Sequence, residues 1–173
     1  SPSVINRNGS VSILLNGSTG FAPAINHPMS FNPFFSTAAD FNNDGKLDLA
    51  VVNFAYGAGE VRVLLGNGSG SFTSLVLDAS LVGSQPYNLT SGDYDGDGKL
   101  DLALVTQASS TIRVLYGDGF GNFGRMTDNL STVTYLSGIN SGDFNSDGRL
   151  DIVSVATSST STNSKVVTLI KNP

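Results

Sequence analysis

Asp40, Asn42, Asp44 and Asp48 set oxygen-bearing side chains at positions 1, 3, 5 and 9 of one nine-residue stretch, DFNNDGKLD. The same spacing returns in DYDGDGKLD at residues 93–101 and in DFNSDGRLD at residues 143–151. Each copy carries a glycine at position 6, which lets the chain turn sharply while several hard oxygens converge on one cation. The stretches read as calcium loops, about three ions per chain. The expected ligands are Asp40, Asn42, Asp44 and Asp48 with the carbonyl of Lys46, and Asp93, Asp95, Asp97 and Asp101 with that of Lys99. The third set is Asp143, Asn145, Asp147 and Asp151 with the carbonyl of Arg149. Position 9, rather than a glutamate at position 12, is expected to supply the bidentate carboxylate. With no flanking helix for the metal to move, the sites should brace rather than switch. Asp, Asn and Gly also make simple Asx-turns in hairpins, but three copies in register favour the metal. Magnesium suits an all-protein oxygen cage less well than calcium.

Other chemistry is sparse. His27 is the sole histidine and Glu60 the sole glutamate, so a general base or transition-metal set is hard to assemble. Paired aspartates could form a hydrolytic dyad, yet calcium already accounts for them, and the chain is read as noncatalytic. Phe54 and Tyr56 stand among small residues in a variable loop. They are the candidate ligand-binding pair, able to stack on a sugar ring or anchor a protein. Packing between neighbouring structural units would explain them equally well.

The formal charge of −5 is local, because ten of the fourteen acidic residues lie inside the three loops. No basic stripe points to nucleic acid, and no apolar run is long enough for membrane insertion. With no cysteine, disulfides and thiolate metal sites are excluded. Low lysine content and open carboxylate loops suit an extracellular or secreted setting, and the start at Ser1 reads as a processed product or an excised piece. Five Asn-x-Ser/Thr sequons occur, at Asn8, Asn16, Asn67, Asn88 and Asn129, a number close to what such a composition produces by chance.

The elements that position the loops form a repeat. Apolar strands begin at Val11, Val61, Ile112 and Val166, spaced by 50, 51 and 54 residues, a period typical of propellers, solenoids and arrays. Within one period a Pro-aromatic lead-in (Pro33-Phe34, Pro86-Tyr87; Leu136 in the third copy) enters a strand ending in small residues. The acidic loop, an apolar strand, a variable loop, the Val/Leu strand and a glycine turn ending in Phe72 or Phe123 follow. Four antiparallel strands per period make an all-β fold with almost no helix, a β-propeller of four-stranded blades. A parallel β-helix has shorter repeats. The small residues suit the innermost strand. Leu47, Leu100 and Leu150, at position 8, are expected to pin each loop to its own blade core, and Phe31, Phe34 and Phe35 to be core or blade-interface residues.

The string Asp-Phe-Asn-x-Asp-Gly-Lys/Arg-Leu-Asp, the following apolar strand, the Val/Ile-Arg-Val-Leu strand and the Gly-Asn-Gly-x-Gly-x-Phe turn resemble the FG-GAP/VCBS repeats of integrin-α-like propellers. The resemblance covers nearly the whole chain. It implies a calcium-stabilised, usually extracellular propeller used in recognition, adhesion or, in some cases, glycan binding. Such propellers commonly have about seven blades, within a general range of roughly four to eight. This chain divides into a partial blade (1–29), two full blades (30–82 and 83–132) and a second partial blade (133–173). It therefore forms either a small closed propeller or a partial arc. Incomplete end blades expose strand edges and apolar faces, so a homo-oligomer, ring or filament is an expectation beside a protein or glycan ligand.

Overall fold

The computed structural model describes residues 3–6, 9–29, 32–54, 59–130, 135–156 and 165–169. Strands β1 (Ser3–Asn6) and β2 (Ser10–Ile13) pair with β5 (Ile25–Pro28) in the order β1-β2-β5, with the ribbon β3 (Asn16–Gly17) and β4 (Gly20–Phe21) between them. Next come β6 (Asn32–Ala39), β7 (Asp48–Phe54), β8 (Glu60–Gly66) and β9 (Phe72–Val76), a four-stranded meander. A single turn of helix, α1 (Ala79–Val82), leads to the second meander of β10 (Pro86–Gly92), β11 (Asp101–Thr106), β12 (Thr111–Gly117) and β13 (Phe123–Leu130). The last sheet holds β14 (Leu136–Gly142), β15 (Asp151–Ala156) and β16 (Lys165–Leu169). All pairings are antiparallel.

The lead-in dipeptide has a structural purpose. The ladders β6–β7, β10–β11 and β14–β15 each slip register at the same place, between Pro33 and Phe35, Pro86 and Asn88, and Leu136 and Gly138. Proline cannot donate to a ladder and is tolerated at such bulges or at a strand's first residue. In the third copy the bulge persists without proline, so the surrounding sheet imposes it.

Inner strands β6, β10 and β14 lie side by side. Small residues permit this approach, and hydroxyls meet across it: Thr37 to Ser91 at 3.3 Å and Thr90 to Ser141 at 3.4 Å. Among the described residues no comparable contact joins β14 to the first sheet, so the blades form an open arc rather than a closed ring.

The second strand of each blade is more buried than its mixed sequence alternation predicts. Every residue of β11 and the first six of β7 are buried, because interior blades have a neighbouring sheet on both faces. At the end of the arc β15 loosens, and Val155 is exposed.

The position-8 leucines of the second and third loops pack on clusters that their own blades share with the preceding ones. Leu100 packs on a cluster that holds Phe41 of the preceding blade and Leu102, Leu115 and Phe123 of its own, and Leu150 packs on one that holds Tyr94 of the preceding blade and Leu136 and Ile152 of its own. They are plugs between blades. Leu47, which faces a sheet whose described strands are β1, β2 and β5 alone, is 58% exposed. Phe34 and Phe35 are also exposed rather than core, yet the Phe34 ring meets Tyr87 at 4.6 Å and Phe54 at 6.1 Å. Phe31 lies outside the described residues.

Candidate metal centres

Each acidic loop joins an inner strand to the next strand of its blade, and all three fold alike. The position-1 carboxylate closes the loop on its own backbone. Asp40, Asp93 and Asp143 accept the position-6 glycine amide at 2.8, 2.9 and 2.9 Å, and the position-5 amide at 3.1, 3.2 and 3.1 Å. That glycine has φ of 80°, 81° and 83° in turn, the left-handed region that a side chain would disfavour. Position 4 is left-handed too, in Asn43, Gly96 and Ser146. At position 5, Asp44, Asp97 and Asp147 each accept the amide two residues on at 2.9 Å.

Position 9 ties the loop to the blade. Asp48 is fully buried, accepting the Phe41 amide at 2.9 Å on Oδ2 and the Gly66 amide at 2.7 Å on Oδ1. Asp101 repeats this with Tyr94 at 2.8 Å and Gly117 at 2.9 Å. Asp151 accepts the Phe144 amide at 3.0 Å, while its buried Oδ1 finds no partner among the described residues. Burial pushes the Asp48 and Asp101 carboxyls above the usual carboxylate range, against the pull of the amides that bond to them. At position 5 the hydrogen bond from Lys46 lowers Asp44, and that from Lys99 lowers Asp97.

The second loop brings Asp93, Asp95 and Asp101 together, one carboxylate oxygen of each lying within 4.8 Å of the others. Three such oxygens can hold an ion. At that spacing two unit charges repel by about 3.5 kcal/mol at an effective dielectric near 20, which a cation would reverse. An oxygen-only donor set of this kind fits a hard cation, and each carboxylate oxygen that accepts one amide keeps a second lone pair. The first and third loops carry Asn42 and Asn145 at position 3, whose side-chain oxygens accept the position-5 amides at 3.1 and 2.9 Å. Lys46 and Lys99 turn their ammonium groups onto Asp44 and Asp97 at 3.0 and 2.9 Å.

Sequence reasoning missed two participants. Arg125 of β13 forms an ion pair with Asp95 and lies over the Tyr116 ring, 4.1 Å from its centroid. Its signal was a lone basic residue two positions past the turn phenylalanine. The second is the first glycine of each glycine turn, Gly66 and Gly117. A Cβ there would stand 2.2 Å from the carbonyl oxygen of Leu47 or Leu100. The turn was legible as a hairpin, but its closeness to the acidic loop is a tertiary fact.

Phe54 is half-buried and packs with Phe34 and Tyr87 at 6.1 and 5.9 Å between ring centroids. Tyr56 lies outside the described residues. His27 Nε2 lies 2.9 Å from the Gly70 carbonyl, with its ring edge-on to Phe72. Glu60 accepts from Arg62 and Asn53. Among the described residues no helix is long and apolar enough to cross a membrane.

A family model described as FG-GAP-like repeat matches three overlapping stretches, residues 3–51, 40–104 and 93–154. No match was found among curated proteins or among solved structures. The matched stretches run through the described sheets and all three acidic loops. The chain therefore belongs to the FG-GAP-like repeat family.

Proposed function

We propose that this chain is a noncatalytic, calcium-braced propeller module of an extracellular or secreted protein, working in recognition or adhesion. The observation that carries the reading is the repeated loop geometry, with matching backbone bonds agreeing to about 0.2 Å in three places and three carboxylates converging in the second. Calcium would neutralise carboxylates that now rely on amides and lysines, and so lock the inner strand to the next strand of each blade. Asp40, Asp44 and Asp48, with their counterparts in the other loops, would hold it. If free calcium exceeds the dissociation constant a hundredfold, each site adds about 2.7 kcal/mol.

The noncatalytic reading is supported by the engagement of His27 and Glu60 in structural contacts. The ligand in this proposal is a protein or a glycan meeting the variable loops beside Phe54 and Tyr56. Melting in excess calcium and then in chelator tests the bracing. The proposal expects a fall of several degrees on chelation, and an unchanged melting temperature would reject it.

A second reading, association of copies through the end sheets, has one observation in its favour. Phe41 and Tyr94, at position 2 of their loops, are buried by the following blade, whereas Phe144 is 55% exposed. Light scattering over a concentration series, with Phe144→Ser as the comparison, tests it. A monomer at all concentrations would exclude it.

A further inference from the structure

We propose that the glycine turn at residues 117–123 couples the first and second acidic loops, so that a cation held in either one tightens binding in the other. The coupling rests on the metal binding proposed for these loops and makes the two sites fill as a pair.

Along the first loop successive residues face two ways. Positions 1, 3 and 5 are the expected ligands Asp40, Asn42 and Asp44, while positions 2 and 4 reach across to the second full blade. The Phe41 carbonyl accepts the Gly121 amide at 3.0 Å, and Asn43 Nδ2 donates to the Gly119 carbonyl at 3.5 Å. The Phe41 ring is buried against Phe123, with centroids 5.9 Å apart. Its amide donates to Oδ2 of Asp48 at 2.9 Å, so a single residue joins a ligand of the first loop to the turn.

The other end of the turn holds the second loop. Gly117 donates to Oδ1 of Asp101, one of the three carboxylates that converge there. Between its ends the turn is tied by Asp118, whose side chain accepts the Phe120 and Asn122 amides at 2.7 and 3.1 Å and whose amide donates to the Asn122 carbonyl at 3.0 Å. Such a knot moves as one piece. Gly119 lies against both loops, because a Cβ added there would stand 2.9 Å from Asn43 Nδ2 and 3.1 Å from Lys99 Cδ. Lys99 in turn pairs with Asp97 of the second loop.

Asp40, Asn42, Asp44 and Asp48 become fixed when they share a cation, and with them the Phe41 carbonyl and Asn43 amide group that grip the turn. A turn ordered by one loop need not be ordered again by the other, so the second filling loses less conformational entropy and is tighter. Reciprocity requires the same factor in the opposite direction. Each loop keeps ligands of its own, so either can fill alone, and the turn sets how tightly.

The test follows the amides of Gly45, Gly98 and Gly148 by NMR in the whole chain during a calcium titration. Each donates to the position-1 aspartate of its own loop, so each reports that loop's occupancy. With the second loop disabled by Asp93→Asn and Asp95→Asn, half-saturation at Gly45 should move to calcium concentrations about fivefold higher or more. Disabling the first loop by Asp40→Asn and Asp44→Asn should move Gly98 by the same factor and leave Gly148 in place. Asn43→Ser should shrink both shifts, and it should fold, since Ser146 is left-handed at the same position of the third loop. Half-saturation at Gly45 that ignores the second loop, an equal shift at Gly148, or shifts that Asn43→Ser leaves whole would each overturn the coupling while leaving the metal sites standing. No calcium response at any of the three glycines would overturn both.

Discussion

The Gly117 amide donates to Oδ1 of Asp101 at 2.9 Å, joining the glycine turn to the acidic loop across sixteen residues of sequence. The other oxygen of Asp101 accepts from Tyr94, so one buried carboxylate fastens the loop to the turn. Asp101→Ala would leave both amides without an acceptor. An unsatisfied buried donor costs about 1–3 kcal/mol, so denaturant unfolding should show a loss of at least about 2 kcal/mol even in chelator. A loss confined to calcium-containing buffer would show that Asp101 serves the metal alone.

Gly117→Ala tests the same junction from its other side. The new Cβ would stand 2.2 Å from the Leu100 carbonyl oxygen, which is backbone and cannot swing away. Overpacking of this kind costs about 1–3 kcal/mol. Gly124→Ala, where a Cβ meets nothing within 4 Å, should be nearly neutral in the same unfolding assay and serves as the control.

Much of this architecture was legible in the sequence because the repeat states it three times. The loop spacing, the small inner-strand residues and the glycine turns each follow from local backbone demands. What stayed hidden depends on which blade lies next door. Leu47, Leu100 and Leu150 share a sequence position, yet Leu47 is exposed and the other two pack between blades. Phe144 likewise is exposed where Phe41 is buried, and among the described residues no blade covers it. A repeat reveals what its units share, whereas the packing of each unit depends on the neighbour beside it. The Arg125–Asp95 pair was hidden for another reason, since it has no counterpart in the preceding blade, where Ser74 stands in its place.

Arg125→Ala should tighten calcium binding at the second loop. Its guanidinium now pairs with Asp95, one of the three convergent carboxylates, and so competes with a cation. The pair is exposed on the arginine side, and such contacts are worth about 0.2–1 kcal/mol. Calcium affinity at that site should therefore rise roughly two- to fivefold in a titration, and a fall would contradict the assignment.

Acid should erode calcium stabilisation at a pH higher than ordinary carboxylates would give. The Asp48 and Asp101 carboxyls titrate above their usual range because they are buried. Without metal, the folded state binds these protons more readily than the unfolded state, so their contribution to stability grows as pH falls through the raised values. Calcium requires them ionised, and its effect runs the other way. The calcium-dependent increment in melting temperature should thus shrink steadily from neutral pH downward, beginning above the usual carboxylate range. An increment constant down to that range would refute the role given to position 9.

Isothermal titration of the metal-free chain with calcium addresses the central claim most directly. The account predicts about three ions per chain, with one fewer after Asp93→Asn combined with Asp95→Asn, because the remaining loops are built independently. Absence of heat and of any saturable binding at millimolar calcium, with the fold intact, would contradict it.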